Sequence, residues 1–229
     1  IRHEFEKDED WRHEIDPGIA ENTIRRRAEM MLAVDEGVGR ILDTLRETGE
    51  LDNTLVIFTS ENGYFYGEHG LTIERRLPYE EAVKTPLLMR FPKMVKPESK
   101  ANGLVVSIDL APTILDVAGV AIPKHIQGTS LIPILKGQKD EVHESIFIEF
   151  YSHENPFPWT ASLDYRIVRK GKYKYIRWIR FEDEAELYDL DTDPFEMNNL
   201  IKNKDMASLV QALEQEMKQH ILNSLGFTD

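Results

Sequence analysis

Near the start of the chain, apolar residues recur at Ile24, Ala28, Met31, Val38, Ile41, Leu42 and Leu45. That spacing predicts one long amphipathic helix from Ile19 to about Thr48, with a single buried face. Gly49 supplies its stop. The period then changes. "TLVIFTS", Thr54 to Ser60, is a short β-branched and apolar run between Asp52-Asn53 and Gly63, the pattern of a buried strand in a parallel sheet. A helix leading directly into such a strand predicts an α/β layer.

Further along, "YEEAVKTP" has room for one or two helical turns, and "PLLMRFP" is a second apolar strand clipped by proline at both ends. "SIDLAPTILDVAGV" predicts a helix from near Asp109, with Pro112 in its first turn and Gly119 at its end. "GTSLIPILKG" predicts a short helix or turn. The character changes near Gln138-Lys139-Asp140, so an α/β part is expected over residues 1–138 and a small α+β subdomain over 139–229. In the latter, "ESIFIEFY" precedes two alternating runs in "YRIVRKGKYKYIRWI", which flank Lys170-Gly171-Lys172 as a hairpin would. Met206, Leu209, Val210, Leu213, Met217, Ile221 and Leu222 then recur at helical spacing. Residues 1–18 are polar and end in Asp16-Pro17-Gly18, which predicts a loop.

Composition narrows the function classes. The 229 residues suffice for one large domain or a domain and a half, and 41% hydrophobic with 30% charged residues is globular usage. No apolar run approaches the roughly 20 residues of a membrane span, so none is expected. With 28 basic and 41 acidic residues the formal charge is -13, which argues against a nucleic-acid partner. The absence of cysteine removes disulfides, thiolate metal sites and a cysteine nucleophile from these residues.

Chemistry is concentrated in "FTSENGYFYGEHGL", Phe58 to Leu71. In open α/β folds the loop after a strand's C-terminal end borders the ligand crevice, and Glu61 and Asn62 stand there. A carboxylate and an amide carbonyl are hard oxygen donors, suited to calcium or magnesium. On spacing alone the plainer alternative is favoured, in which Asn62-Gly63 is a turn and Glu61 a solvated acid. The glycines at 63, 67 and 70 permit positive backbone torsions or close approach. His69 suits an anion contact or proton transfer, and Arg75 and Arg76 suit oxyanions, although pairing with neighbouring glutamates explains them equally well.

The ordered series from "GRILDTLRETGELDNTLVIFTSENGYFYGEHGL" through "ERRLPYEEAVKTPLLMRFP", "IDLAPTILDVAGV", "IQGTSLIPILKG", "KYKYIRW" and "ELYDLDTDPFEMNNL" resembles the sulfatase family of the alkaline phosphatase superfamily, over about residues 20–201. The resemblance implies the C-terminal half of a sulfatase: a sulfuric ester hydrolase that uses a calcium (or magnesium) ion and a formylglycine nucleophile. That nucleophile, in a Cys-x-Pro-Ser/Ala-x-Arg motif, would lie outside this chain, so an N-terminal half of the same protein is an expected partner and the chain alone is expected to be inactive. Carried over by position, Glu61 and Asn62 become the metal ligands, where the family usually has Asp followed by Asn or His. Arg75, four residues before Tyr79, stands where the family usually has a sulfate-contacting Lys. His69 matches a position near the substrate, so Arg75 and His69 are the catalytic and substrate-binding candidates. The substrate implied is a sulfated small molecule or glycan, and the location periplasmic, extracellular or lysosomal.

Other readings stay open on the sequence. One is a phosphonate or phosphodiester hydrolase of the same superfamily. The other is a noncatalytic sulfatase-like binding module, supported by the missing nucleophile and by Glu61 and Arg75. "YSHENPFPW", with His153 and Trp159, has the makeup of a sugar-facing rim loop, although core packing or a plain surface loop is favoured. "VRKGKYKYIRWIR" holds six basic residues that would suit a polyanion, although a hairpin with a solvated basic face is the default. "YDLDTDP" lacks the glycine and closing glutamate of a calcium loop and is read as a turn.

Overall fold

A computed structural model describes residues 17–71, 76–152, 163–181 and 184–225, with residues 17–20 described by backbone alone. Contacts divide the chain into two compact units, residues 1–93 and 94–229.

In the first unit, helix α1 spans Pro17–Glu47. It closes where Glu50 N–H donates to the Leu45 carbonyl and Gly49 N–H to that of Arg46, a paired C-terminal cap centred on the glycine expected there. The apolar face expected of this helix is present but largely open among the described residues. Ile24, Met30, Met31, Leu32, Val34 and Ile41 are all exposed, Met30 at 70%. By helical spacing Ile24, Met31, Val34 and Ile41 share the predicted face, with Met30 at its edge and Leu32 apart, and Val38, Leu42 and Leu45 toward its end are half-buried.

Strand β1, Val56–Thr59, follows. A four-residue helix α2, Glu80–Val83, and strand β2, Leu87–Arg90, complete the unit. The two strands pair antiparallel, Val56 opposite Arg90 and Thr59 opposite Leu87, which corrects the expected parallel, buried sheet. Both strands are only partly buried, and among the described residues no other strand pairs with them. The Arg90 guanidinium fastens β2 to the turn after α1, donating at 2.7 Å both to the Leu51 carbonyl and to Asp52 Oδ1.

The second unit starts with helices α3, Leu110–Val117, and α4, Ile132–Leu135. Asp109 is fully buried at the start of α3. Its carboxylate accepts from Val106 N–H at 2.9 Å and Thr129 N–H at 2.8 Å, and pairs with His143 Nε2 at 2.9 Å. One acid thus ties the 94–138 segment to the run that enters the following sheet, with its oxygens satisfied as burial requires.

That sheet is an antiparallel meander of β3 (Ser145–Phe150), β4 (Tyr165–Lys170), β5 (Tyr173–Trp178) and β6 (Ala185–Asp189) in chain order. Its hairpin turns at Gly171-Lys172, as the sequence predicts. Helix α5, Ala207–Ser224, packs Leu213 and Met217 on Val168, Tyr175, Ala185 and Leu187. The alternate residues Tyr165, Ile167, Ile176 and Trp178 are buried as well, so this sheet is apolar on both faces. The antiparallel sheet plus closing helix is the C-terminal subdomain architecture expected.

Candidate functional site

Glu61 and Asn62 follow directly on β1, both exposed. Asn62 Nδ2 donates to Glu61 Oε2 at 2.5 Å, and the Ser60 hydroxyl donates to the Asn62 carbonyl at 3.2 Å, so the two oxygen-bearing side chains are held side by side. Gly63 is where this loop meets α2. Its N–H donates to the Ala82 carbonyl at 2.8 Å, and a Cβ at this position would stand 1.8 Å from the Glu81 carbonyl oxygen. No side chain fits that gap.

The next glycines shape a closed loop. Gly67 and Gly70 adopt φ of 121° and 76°, values that favour glycine. Gly67 N–H donates to the Leu71 carbonyl at 2.6 Å and Gly70 N–H to that of Gly67 at 3.0 Å, while Tyr66 N–H donates to Glu68 Oε2 at 2.5 Å. Between them His69 is held at φ 54°, a left-handed conformation that costs a non-glycine residue about 1–2 kcal/mol. Its ring stacks on Tyr79 at 4.1 Å and 13° and meets the fully buried Phe65 edge-on at 5.9 Å. His69 Nε2 lies 3.5 Å from Glu81 Oε2.

Helix α1 braces the loop from another side. The Arg27 guanidinium sits 3.6 Å over the Tyr64 ring and donates to the Tyr66 hydroxyl at 3.4 Å, a cation-π contact of about 0.5–2 kcal/mol.

Helix α2 therefore gathers the sequence candidates. Its Glu81-Ala82 backbone seats the residue after Asn62, and its Glu81 carboxylate faces His69. Arg75, His153 and Trp159 lie outside the described residues. Glu81, Tyr79 and Arg27 were missed as site residues. In the sequence "YEE" gives one or two helical turns, glutamates able to pair with the arginines and the landmark that places Arg75, whereas contacts over tens of residues leave no periodic trace.

In the second unit the basic hairpin is extensively paired rather than an open cationic face. Lys174 is 1% exposed and sits 2.8 Å from the buried Glu196. Lys170 pairs with Glu216 at 2.8 Å, Lys172 with Asp189 at 2.7 Å and Arg180 with Asp164 at 2.8 Å. An open cleft of about 450 Å³ beside this hairpin sets Arg169 and Lys172 against Glu141, Glu144 and Asp191. That balance of charge suits neither an anion nor a cation.

Fold and site together define an α/β chain with hard oxygen donors and a braced histidine at a strand's C-terminal end, followed by a sheet-plus-helix subdomain. The sequence pattern of the sulfatase family matches residues 2–120, and that of the N-sulphoglucosamine sulphohydrolase C-terminal region matches residues 67–223. The chain belongs to the sulfatase family and corresponds to its C-terminal part. It is 40% identical over 195 residues to an N-acetylglucosamine-6-O-sulfatase of Bacteroides thetaiotaomicron, covering 83% of this chain and 35% of that protein. A structure described as a complex with its substrate D-glucosamine-2-N,6-O-disulfate superposes with a TM-score of 0.77 at 35% identity, covering 87% of this chain and 40% of that one. A phosphonate monoester hydrolase from Silicibacter pomeroyi gives a TM-score of 0.73 at 27% identity, covering 83% and 39%. The chain spans about a third of the length of the curated relatives it matches, 35% and 38% for the first two. No described helix is long and apolar enough to cross a membrane.

Proposed function

We propose that this chain forms the C-terminal portion of a metal-dependent sulfuric ester hydrolase acting on a sulfated glucosamine. Glu61 and Asn62 are two oxygen ligands of a calcium or magnesium ion, and a preceding portion supplies the formylglycine nucleophile. The observation that carries this reading is the convergence on α2, where Gly63, next after the strand-end pair, donates to Ala82 and His69 faces the neighbouring Glu81. Family membership supports the reaction class, and the ligand of the 35%-identical structure supports the sugar.

Glu61 and Asn62 fit a hard cation by donor chemistry and by their exposure. Two donors do not complete a shell of about six to eight oxygens. Among the described residues no group of three or more histidine, aspartate and glutamate side chains could hold a metal, so the remaining ligands are assigned to the preceding portion. When bound, the cation supplies positive charge that polarises a sulfate oxygen. His69 contacts the substrate or passes a proton to the leaving alcohol at a ring nitrogen, and Arg75 is assigned the sulfate contact from the sequence resemblance. The exposed apolar residues of α1 are the surface the preceding portion would cover.

The test is Asn62→Ala in the complete enzyme, with bound calcium measured by atomic emission and turnover measured on N-acetylglucosamine 6-sulfate. Both should fall by at least about tenfold. Unchanged metal content and rate would remove the ligand assignment.

The likeness to a phosphonate monoester hydrolase favours a second reading, since sulfate and phosphonate esters share a tetrahedral centre. Faster turnover of an aryl phosphonate than of the sulfated sugar would select it.

A further inference from the structure

His69 Nε2 and Glu81 Oε2 face each other at 3.5 Å, and both atoms are sealed from solvent without a hydrogen bond. The separation exceeds the 2.7–3.2 Å of a formed N–H···O bond. A carboxylate oxygen and a ring nitrogen so enclosed are unfavourable unless the bond between them closes, and catalytic hydrogen bonds that are long without substrate tighten in the complex. The surroundings hold the ring to that contact. Tyr79 fixes its plane, Phe65 its edge and the left-handed backbone at residue 69 its direction. The groups that face the ring are Glu81 of α2 and Tyr79 just before it, and Glu68 of the same loop is engaged by Tyr66 N–H. Glu81 also gives its backbone to the close approach of Gly63, so one residue touches the chain leaving Asn62 and the imidazole alike.

We infer that Glu81 is the positioning residue for His69: its carboxylate accepts from Nε2–H and fixes the tautomer that leaves the Nδ1 lone pair for the substrate. This rests on the reading of His69 as a substrate contact and selects it over proton transfer to the leaving alcohol, because the tautomer so fixed carries no proton at Nδ1. The carboxylate turns a ring with two equivalent roles into one with a fixed donor side and a fixed acceptor side. A sulfatase built this way takes a hydrogen-bond donor of its sugar at Nδ1, such as a hydroxyl beside the sulfate ester.

Long-range proton–nitrogen correlation spectra of the ¹⁵N-labelled complete enzyme read the His69 tautomer directly. The expected result is a protonated Nε2 with a low-field, slowly exchanging ring proton. That proton resonance should be lost in Glu81→Ala and restored in Glu81→Gln, whose side-chain oxygen still accepts. A protonated Nδ1 in the unsubstituted chain, or a ring proton that persists in Glu81→Ala, overturns the inference. Should Glu81→Ala fail to fold, the tautomer of the unsubstituted chain and the Glu81→Gln spectrum decide alone. Turnover of N-acetylglucosamine 6-sulfate by the complete enzyme separates the two layers. Glu81→Ala should lower kcat about ten- to a hundredfold with little change in KM, and Glu81→Gln should recover part of it. If His69→Ala abolishes turnover while Glu81→Ala leaves kcat unchanged, the positioning role fails and the reading of His69 stands. If His69→Ala turns over normally, that reading fails, and the role inferred for Glu81 fails with it whatever the tautomer.

Discussion

Replacing Gly63 with alanine should detach the strand-end pair from the histidine without touching either. The added Cβ would stand 1.8 Å from the Glu81 carbonyl oxygen, 2.9 Å from its carbon and 3.4 Å from Ala82 Cα. Every one of these is backbone, so no flexible side chain can swing away. A comfortable C···O contact is about 3.3–3.6 Å, and the loop must therefore retreat by about 1.5 Å. That movement breaks the 2.8 Å bond from Gly63 N–H to the Ala82 carbonyl. Overpacking costs about 1–3 kcal/mol and the lost hydrogen bond about 1 kcal/mol, about 2–4 kcal/mol together. Gly63 is not held at positive φ, so the effect is one of contact rather than backbone strain. Native-state hydrogen exchange at amide 63 reads it, with an expected acceleration of about 30- to 700-fold at 1.4 kcal/mol per decade. Gly37→Ala is the contrast. Nothing lies within 4 Å of a Cβ there, and in the interior of α1 alanine should stabilise by about 0.5–1 kcal/mol. An exchange rate at position 63 within twofold of the parent would refute the close approach on which the site geometry depends.

Lys174→Met should cost about 3–5 kcal/mol, because it strips the buried Glu196 carboxylate of its ion-pair partner. The double variant Lys174→Met/Glu196→Leu should recover most of that loss in urea melts, and a single-variant cost below about 1 kcal/mol would contradict the burial of the charge. A pH effect should centre on His220, whose ring stacks on Phe147 and whose Nε2 lies 2.9 Å from the Ser145 hydroxyl. Burial pushes this imidazole below its ordinary value against the pull of Glu216, with His143 and Lys170 adding to the depression. The unfolded chain then binds the proton more readily, so the contribution of the neutral ring is complete above about pH 6.5 and is lost as pH falls through that value toward the depressed one. Thermal melts from about pH 8 to 5 should show the loss, and His220→Gln should flatten it; an identical slope in the variant would exclude His220 as its source. Glu216, whose carboxyl the Lys170 and Ser145 hydrogen bonds hold below its ordinary range, acts in a lower window, its contribution fading as pH drops below about 4.3.

The long periods in the chain were legible, and its pairings were not. The long first helix, the Lys170-Gly171-Lys172 hairpin and the apolar stripe of α5 appear within a residue or two of where the sequence pattern put them, since each follows from local periodicity and turn chemistry. The direction of β1 relative to β2 had no such signal. Two four-residue apolar runs satisfy either ladder, and only the path of the chain between them decides. The exposure of α1 was hidden for a related reason. The stripe from Ile24 to Leu45 is genuine and Val34 extends it, but periodicity shows that a face is apolar and not what covers it, and Ile24, Met31, Val34 and Ile41 stand exposed. Lys174 is the sharpest miss in the subdomain. In "KYKYIRW" it looks like one more solvated cation, and its burial depends on Glu196, which follows in a separate segment and adopts φ 52°.

The candidate site was half legible for the same physical reason. Glu61, Asn62 and His69 stand out as residue types in a glycine-rich loop, but what gathers that loop is a four-residue helix too short to persist on its own. Helix α2 is held by what it holds: Gly63 N–H on the Ala82 carbonyl and the Phe65, His69 and Tyr79 rings packed on one another. Its order and the loop's order are therefore one cooperative property, and a change on either side should loosen both. The glycine spacing of 63, 67 and 70 is the sequence trace of that arrangement. The first glycine permits contact with another backbone and the other two turn the chain back, so that an imidazole in a costly conformation can face a carboxylate on the helix that receives it.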